Sequence, residues 1–302
     1  MIGLLSCRDE IMAKLLCLSF AGSFCILCAV LEACPPTAAA QLHFAANSNF
    51  GVDGAYLARR ADFDLADIAD AAELNSLPRG VEALAWIGLC GGVDARFLEA
   101  VRPYRGRAGL FGLYLMDDPD PRGWHSARCT GNDLRAESDW VHSNLPSVKT
   151  FIVLMNIGSS RTPWFAATYS PVHSHVDLFG LAPYPCRTEL RRCDFAMIGR
   201  YVVAAEAAGI PRARMVPVYQ VFGGGDWIDD GGGRYVLPTA NEEEEIIARW
   251  GALLPMPAFD YAYAWGTQRG DVALQDSVGL QAVFLRHNGA LKNLSSPAPA
   301  DR

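Results

Sequence analysis

The chain has 302 residues, of which 51% are hydrophobic, and a formal net charge of −7. That apolar content supports a sizeable core and excludes a globally disordered chain. Basic residues are scattered, with only Arg187, Arg191 and Arg192 close together, so the basic stripe needed to bind a nucleic-acid backbone is missing.

The first forty residues form a segment of their own. Lys14 precedes the apolar run Leu15 to Leu31, followed by Pro35, Pro36 and the small residues Ala38-Ala39-Ala40. A positive start, an apolar middle and an A-x-A site describe an export signal over residues 1–40. Met12 is an alternative start, because Arg8, Asp9 and Glu10 sit awkwardly before the apolar run. Two rival readings rank lower. One is an uncleaved anchor, since the run approaches the roughly 17-residue minimum for a span. The other is a lipoprotein acylated at Cys34. The expected location is therefore secreted or periplasmic, with no stable membrane span after cleavage. Of nine cysteines, cleavage at Ala40 leaves Cys90, Cys129, Cys186 and Cys193. An even number in an exported chain favours disulfides. Cys186 and Cys193 lie close in one loop and make the easiest pair, which leaves Cys90 with Cys129. A zinc site is the rival, but no C-x-x-C spacing supports it.

After Ala40, short apolar strands alternate with amphipathic helices. Candidate strands are Leu42 to Ala46, Val81 to Leu89, Leu110 to Met116, Phe151 to Asn156, Val176 to Ala182, Met215 to Phe222 and Phe259 to Trp265. Several are apolar on both faces, as parallel strands covered by helices are. Asp64 is placed to cap a helix carrying Leu65, Ile68, Ala69 and Ala72 on one face. Asp94 precedes Phe97, Leu98 and Val101. Phe195, Ile198, Val202 and Ala205 recur at helical spacing, and Gly209 ends that helix. Thr239 and Glu242 have capping-box spacing ahead of the stripe Ile246, Ile247, Trp250, Leu253 and Leu254. The run Glu242 to Glu245 is read as acids complementing the helix dipole. A last helix covers about Val278 to Phe284, and residues 291–302 read as a disordered tail.

This alternation predicts an α/β fold, a single (β/α)8 TIM-like barrel over residues 41–290, with seven strands readable. A doubly wound sheet is disfavoured, because no G-x-G-x-x-G follows the first strand and no Walker A motif occurs. In a barrel of parallel strands the chemistry sits at the C-terminal strand ends. The strand Gly109 to Met116 ends in Asp117-Asp118-Pro119-Asp120. Side chains alternate along a strand, so Asp117 and Asp118 point to opposite sides, and one enters the mouth. A partly desolvated carboxyl there suits general acid catalysis. No acid ends another readable strand: Asn156 ends one, Tyr184 another, and Gln268 follows the last. Asp226, in the loop after Phe222, is the candidate second carboxylate. That loop, Gly223 to Gly233, is read as a mobile cover in preference to a Ca²⁺ loop.

Trp86, Tyr184, Trp227, Tyr263 and Trp265 lie near strand ends, where flat rings can stack on sugar faces, with core packing the rival role. Asn156 and Gln220 suit hydroxyl recognition. His173 and His175 precede a strand and so face the stability end. His43 stands alone in the first strand. A serine esterase is disfavoured by the lack of a G-x-S-x-G elbow. Nothing calls for a metal or other cofactor.

Gly112-Leu113-Tyr114-Leu115-Met116-Asp117-Asp118-Pro119-Asp120 resembles the strand-end motif of glycoside-hydrolase-like barrel proteins, in which Asp-Glu-Pro or Asn-Glu-Pro ends an apolar strand. Val216 to Gly223 resembles their later Gln-containing strand. Leu237-Pro238-Thr239, with Glu242-Glu243 and Trp250, resembles their Pro-Thr-x-x-Glu helix start. Tyr261 to Gly266 resembles the aromatic strand that follows. The resemblance implies Asp118 as the acid, in place of Glu, and Asp117 as its orienting neighbour. It implies a carbohydrate as partner and a glycoside hydrolase as function. The alternatives are a non-catalytic carbohydrate-binding barrel and a structural or partner-binding surface protein.

Overall fold

The computed structural model describes residues 41–124, 127–190, 192–228 and 232–295, with side chains described to residue 290. Residues 1–40, on which the expected export signal falls, lie outside them, as do His125, Arg191, Asp229, Asp230 and the end of the tail. Eight parallel strands close into a barrel in the order β1 (Leu42–Ala45), β2 (Leu65–Ile68), β3 (Glu82–Trp86), β4 (Leu110–Asp117), β5 (Lys149–Val153), β6 (Leu178–Leu181), β7 (Met215–Gln220) and β9 (Phe259–Tyr263). Two further strands, β8 (Phe222–Gly224) and β10 (Asp271–Ala273), pair antiparallel above it. The helices are α1 (Ala71–Ser76), α2 (Ala95–Val101), α3 (Gly131–Asn144), α4 (Pro171–Ser174), α5 (Ala196–Ala207), α6 (Ala240–Leu253) and α7 (Val278–Ser295).

The sequence-based reading of Leu65–Ile68 as helix is corrected here, and this segment supplies the eighth strand. The helix begins later, at Ala71, with the Asp70 carboxylate accepting the N–H groups of Ala72 and Glu73. Four residues are too few to separate period 2 from period 3.6. Tertiary pairing decides: Phe44 lies against Leu65 and Leu84 against Asp67. The other helix starts stand as expected. Asp94 caps α2 through the Phe97 N–H at 2.8 Å, and Thr239 and Glu242 form the capping box of α6. Glu242 also pairs with Arg192 at 2.6 Å. Glu242 and Glu243 lie in the first turn, as the dipole reading expects; Glu243 is fully buried there, and burial pushes its carboxyl well above the ordinary range.

Alternation divides the apolar residues into two layers. Phe44, Leu65, Leu84, Tyr114, Phe151 and Phe259 fill the barrel interior. Their neighbours in sequence, such as Ala45, Ala66, Ala85 and Ile152, face the helices. The interior rings interlock edge to face, with Tyr114 to Phe151 at 4.8 Å and Phe151 to Phe259 at 5.0 Å between centroids, a favoured aromatic arrangement. Both disulfides form as expected, Cys90–Cys129 and Cys186–Cys193.

The seam between the first and last barrel strands carries a buried polar hub. His43 on β1 lies directly across from Asp260 on β9. Both alternate outward, toward α7, which brings His287. Asp260 Oδ1 meets His43 Nδ1 at 2.9 Å and Oδ2 meets His287 Nε2 at 2.8 Å. Gln41 Nε2 also donates to Oδ2 at 2.9 Å. His43 is thus part of a cluster at the stability end rather than solitary. Burial alone would raise the Asp260 carboxyl, but the two histidines outweigh it and hold it below the ordinary range. A depressed carboxyl contributes stability above its unfolded pKa that is lost as pH falls below about 4. Asp260→Asn is therefore expected to cost about 3–5 kcal/mol at pH 7, because it breaks a buried pair from one side. Urea unfolding at several pH values checks this, and the gap to wild type should narrow as pH falls below about 4.

Candidate functional site

A cavity of about 440 Å³ opens at the C-terminal ends of β1 to β4 and β9. Its acids are Asp67 at the end of β2, Glu73 in the first turn of α1 and Asp117 at the end of β4. Its aromatic walls are Trp86, Tyr114, Tyr261 and Tyr263, and its amides are Asn47, Asn49 and Gln268.

Which strand-end aspartate enters the cavity is decided by a register shift. Tyr114 on β4 pairs with Phe151, but Met116 pairs with Ile152 and Asp117 with Val153, so Leu115 is the extra residue of a bulge. Strict alternation from the inward Tyr114 would send Met116 and Asp118 inward. The bulge reverses this. Met116 packs toward the helices, as Ile152 does, and Asp117 turns to the inner face with Val153. Bulges re-aim side chains in this way. Tyr114 O–H donates to Asp117 Oδ1 at 2.8 Å. Asp118 takes a left-handed backbone, φ 46°, at the rim and does not line the cavity. The expected orientation of the two is thus exchanged. Pro119 and Asp120 then leave the barrel, and Asp120 accepts the N–H groups of Arg122 and Trp124.

Asp67 reaches the cavity by plain alternation, since Leu65 faces in and Ala66 faces out. The loop after β1 wraps it. Asn47 N–H donates to Asp67 Oδ2 at 2.9 Å, and Asp67 N–H donates to Asn49 Oδ1 at 2.9 Å. Desolvation, with a smaller contribution from the Glu73 charge, pushes the Asp67 carboxyl up to about 6 despite the Asn47 N–H. Asp117 is raised as well, through desolvation, against the opposing hydrogen bonds from Tyr114 and the Asp118 backbone. Two carboxyls, both raised and both facing one cavity, suit proton transfer.

Trp86 is 41% exposed and stands edge-on to Tyr114 with centroids 4.8 Å apart. Gly88 makes room for it: its φ is +63°, and a Cβ there would meet the indole at 2.8 Å. Tyr263 O–H donates to Gln268 Oε1 at 3.0 Å. Behind Tyr263 stand Tyr184 at 5.8 Å and Trp227 at 6.3 Å between centroids, and neither lines the cavity. Arg269 lies over the Trp227 ring at 4.7 Å.

Several expected site residues have structural work instead. Trp265 is fully buried among the barrel-to-helix packing, with Phe63 and Arg60 against its ring, so it is corrected to a core residue. The buried Gln220 amide accepts from Cys186 N–H at 2.8 Å and donates to the carbonyls of Cys186 at 2.9 Å and Val236 at 3.1 Å. It stitches the disulfide loop to the barrel, with both ends of its amide engaged and the side chain fully buried. Asn156 donates to Tyr201 and accepts from Gly158 and Trp164, which organises its own loop. Asp226 is exposed beyond the cavity, with its backbone N–H on Arg269. Asp67, Glu73, Asn47, Asn49, Tyr114 and Tyr261 were not expected in the site. For Asp67 a signal existed: a carboxylate follows a short apolar segment, as at Asp117.

The raised Asp67 carboxyl has a stability consequence with a definite sign. The native state holds its proton more tightly than the unfolded chain, so stability falls as pH rises from about 4 to 6. Asp67→Asn keeps the acceptor for Asn47 and removes the charge. It is expected to be more stable than wild type by about 1–3 kcal/mol at pH 7.5 and equal to it near pH 4. Thermal unfolding at the two pH values checks this, and equal stability at both would assign Asp67 an ordinary, solvated carboxyl.

No protein-family model matches this chain, and no characterised protein matches it by sequence. Solved structures do match. A Group IV chitinase from Ostrinia furnacalis, in complex with allosamidin, is 9% identical, with a TM-score of 0.53 over 85% of this chain and 100% of that one. A β-glucuronidase from Ruminococcus gnavus, in complex with D-glucuronic acid, is 7% identical, with a TM-score of 0.52 over 82% of this chain and 49% of that one. At such identities the likeness is one of fold. Eight parallel strands with a cavity at their C-terminal ends, and these neighbours, make the protein a (β/α)8 barrel similar in fold to these two glycosidases.

Proposed function

We propose that this protein is an exported glycoside hydrolase that cleaves an oligo- or polysaccharide with the carboxyl pair Asp67 and Asp117. The observation that carries the reading is their shared position: both strand-end acids face one aromatic-walled cavity, and both are desolvated there. Asp67, with a carboxyl near pH 6, is the proton donor to the glycosidic oxygen. Asp117, held by the Tyr114 hydroxyl, is the charged partner that stabilises the oxocarbenium-like centre and assists attack on the anomeric carbon. Trp86 supplies a face for the sugar ring, and the amides of Asn47, Asn49 and Gln268 meet hydroxyls. Asp118, at the rim, keeps its place beside the pair without entering it. The two disulfides support an oxidising compartment outside the cytosol. Among the described residues no helix is long and apolar enough to cross a membrane.

A glycan-hydrolysis screen of wild type beside Asp67→Asn, Asp117→Asn and Asp118→Asn tests the assignment. Asp67→Asn and Asp117→Asn should each lose about 10²–10⁴-fold in kcat, the span of a missing general acid or base. Asp118→Asn should lose less than about tenfold. Wild-type kcat should fall as pH rises above about 6, as Asp67 gives up its proton. Activity that survives in both Asp67→Asn and Asp117→Asn, or that is lost only in Asp118→Asn, overturns it. Trp86→Ala should raise KM more than it lowers kcat, as expected where a stacking face binds ground and transition states alike.

A further inference from the structure

The cavity carries a charge imbalance that the proposed chemistry does not use. Asp67, Glu73 and Asp117 line it, and among the described lining residues none is Lys, Arg or His. Glu73 is the acid left without a part in proton transfer. Its carboxylate accepts the Ala69 N–H at 2.6 Å, which folds it back over the end of β2 toward Asp67. Its other neighbours on α1 are the apolar Ala72 and Leu74 and the cap Asp70, so the helix brings no cation to it. No ion pair of Glu73 is found among the described residues. Two acids side by side with no counter-charge repel each other, and a cationic ligand would offset that repulsion.

The spacing of functional groups on a sugar makes this specific. In a 2-amino-2-deoxy sugar the amine sits on the carbon next to the anomeric centre. A carboxyl that protonates the glycosidic oxygen and a carboxylate that pairs with that amine must therefore be neighbours. Asp67, at the end of β2, and Glu73, in the turn that follows, are placed as such neighbours on the cavity wall. An N-acetylated sugar brings no charge to pair with Glu73, and a uronic acid brings the wrong one.

Building on the glycosidase reading, we propose that Glu73 is a specificity residue that selects a carbohydrate with a free ammonium group, an oligomer of 2-amino-2-deoxy sugars. Trp86 takes the apolar face of the ring, and the acidic wall takes the amine.

The test titrates the mature protein with three oligosaccharides of equal length: glucosamine, N-acetylglucosamine and galacturonic acid oligomers. Trp fluorescence and calorimetry report affinity at low and at 0.5 M salt. The glucosamine oligomer should bind at least about tenfold tighter than the acetylated one, with the uronic oligomer weakest, and the gap should shrink at high salt. In Glu73→Gln, which keeps the acceptor for Ala69, the preference should fall to about twofold or less, with thermal unfolding verifying the fold. Equal affinity for charged and acetylated oligomers, or an undiminished preference in Glu73→Gln, overturns the role of Glu73. If the acetylated or uronic oligomer binds while the glucosamine oligomer does not, the charge selection fails and the carbohydrate reading stands. If none of the three binds at either salt concentration, both fail together.

Discussion

Side-chain alternation around a closed parallel barrel is the constraint on which the rest of this molecule depends. Each strand has one face for the interior and one for the helices. Closure leaves no edge at which the pattern can relax. Phe44, Leu65, Tyr114, Phe151 and Phe259 obey it on the inside, and Ala45, Ala66, Ala85 and Ile152 on the outside. One extra residue in one strand therefore has a large effect. The bulge at Leu115 turns a rim carboxylate into a cavity carboxylate without changing any side chain.

The two ends of the barrel treat buried carboxylates in opposite ways, and the difference is one of donors. Asp260 at the N-terminal end meets two histidines and the Gln41 amide. Its charge is well satisfied, its pKa is depressed, and it fastens the first strand to the last and to α7. Asp67 and Asp117 at the C-terminal end meet one backbone N–H and one phenol as their chief side-chain acceptor bonds. Desolvation wins there, and both carboxyls are raised. One end is built to hold a charge in place, and the other leaves acids whose carboxyls are raised by desolvation. That contrast matches the division of a barrel into a stability face and a functional face.

The aromatic and acidic parts of the cavity support each other physically. Trp86, Tyr114, Tyr261 and Tyr263 displace water from the strand ends, and that loss of water raises the acids. The carboxylates in turn raise the Tyr114, Tyr261 and Tyr263 hydroxyls further, which keeps those phenols protonated as donors. The antiparallel β8–β10 pair joins the segments that follow β7 and β9, and Gln220 ties the Cys186–Cys193 loop to the end of β7.

Much of the architecture was legible in the residues. Seven of eight strands, the α5 and α6 helices and the Asp94 and Thr239 caps follow from local patterns, because they depend on neighbours in sequence. With residues 1–40 set aside as an expected export signal, four cysteines allow three connectivities, and the closeness of Cys186 to Cys193 in sequence favoured the one that forms. The aspartate cluster at the end of β4 was visible as well, since Asp117, Asp118 and Asp120 directly follow one apolar run, at the strand end where a parallel barrel places its functional groups. What the sequence could not hold was whatever depended on pairing. Leu65–Ile68 is a strand because β1 and β3 flank it, and with it Asp67 becomes an inward acid rather than a residue on a helix. Asp117 rather than Asp118 faces the cavity because β5 sets the register past Leu115. Gln220 and Trp265 are structural because of carbonyls and rings contributed by distant loops. Local pattern determined which segments fold into a barrel, and hydrogen-bond register between strands decided which of their side chains meet.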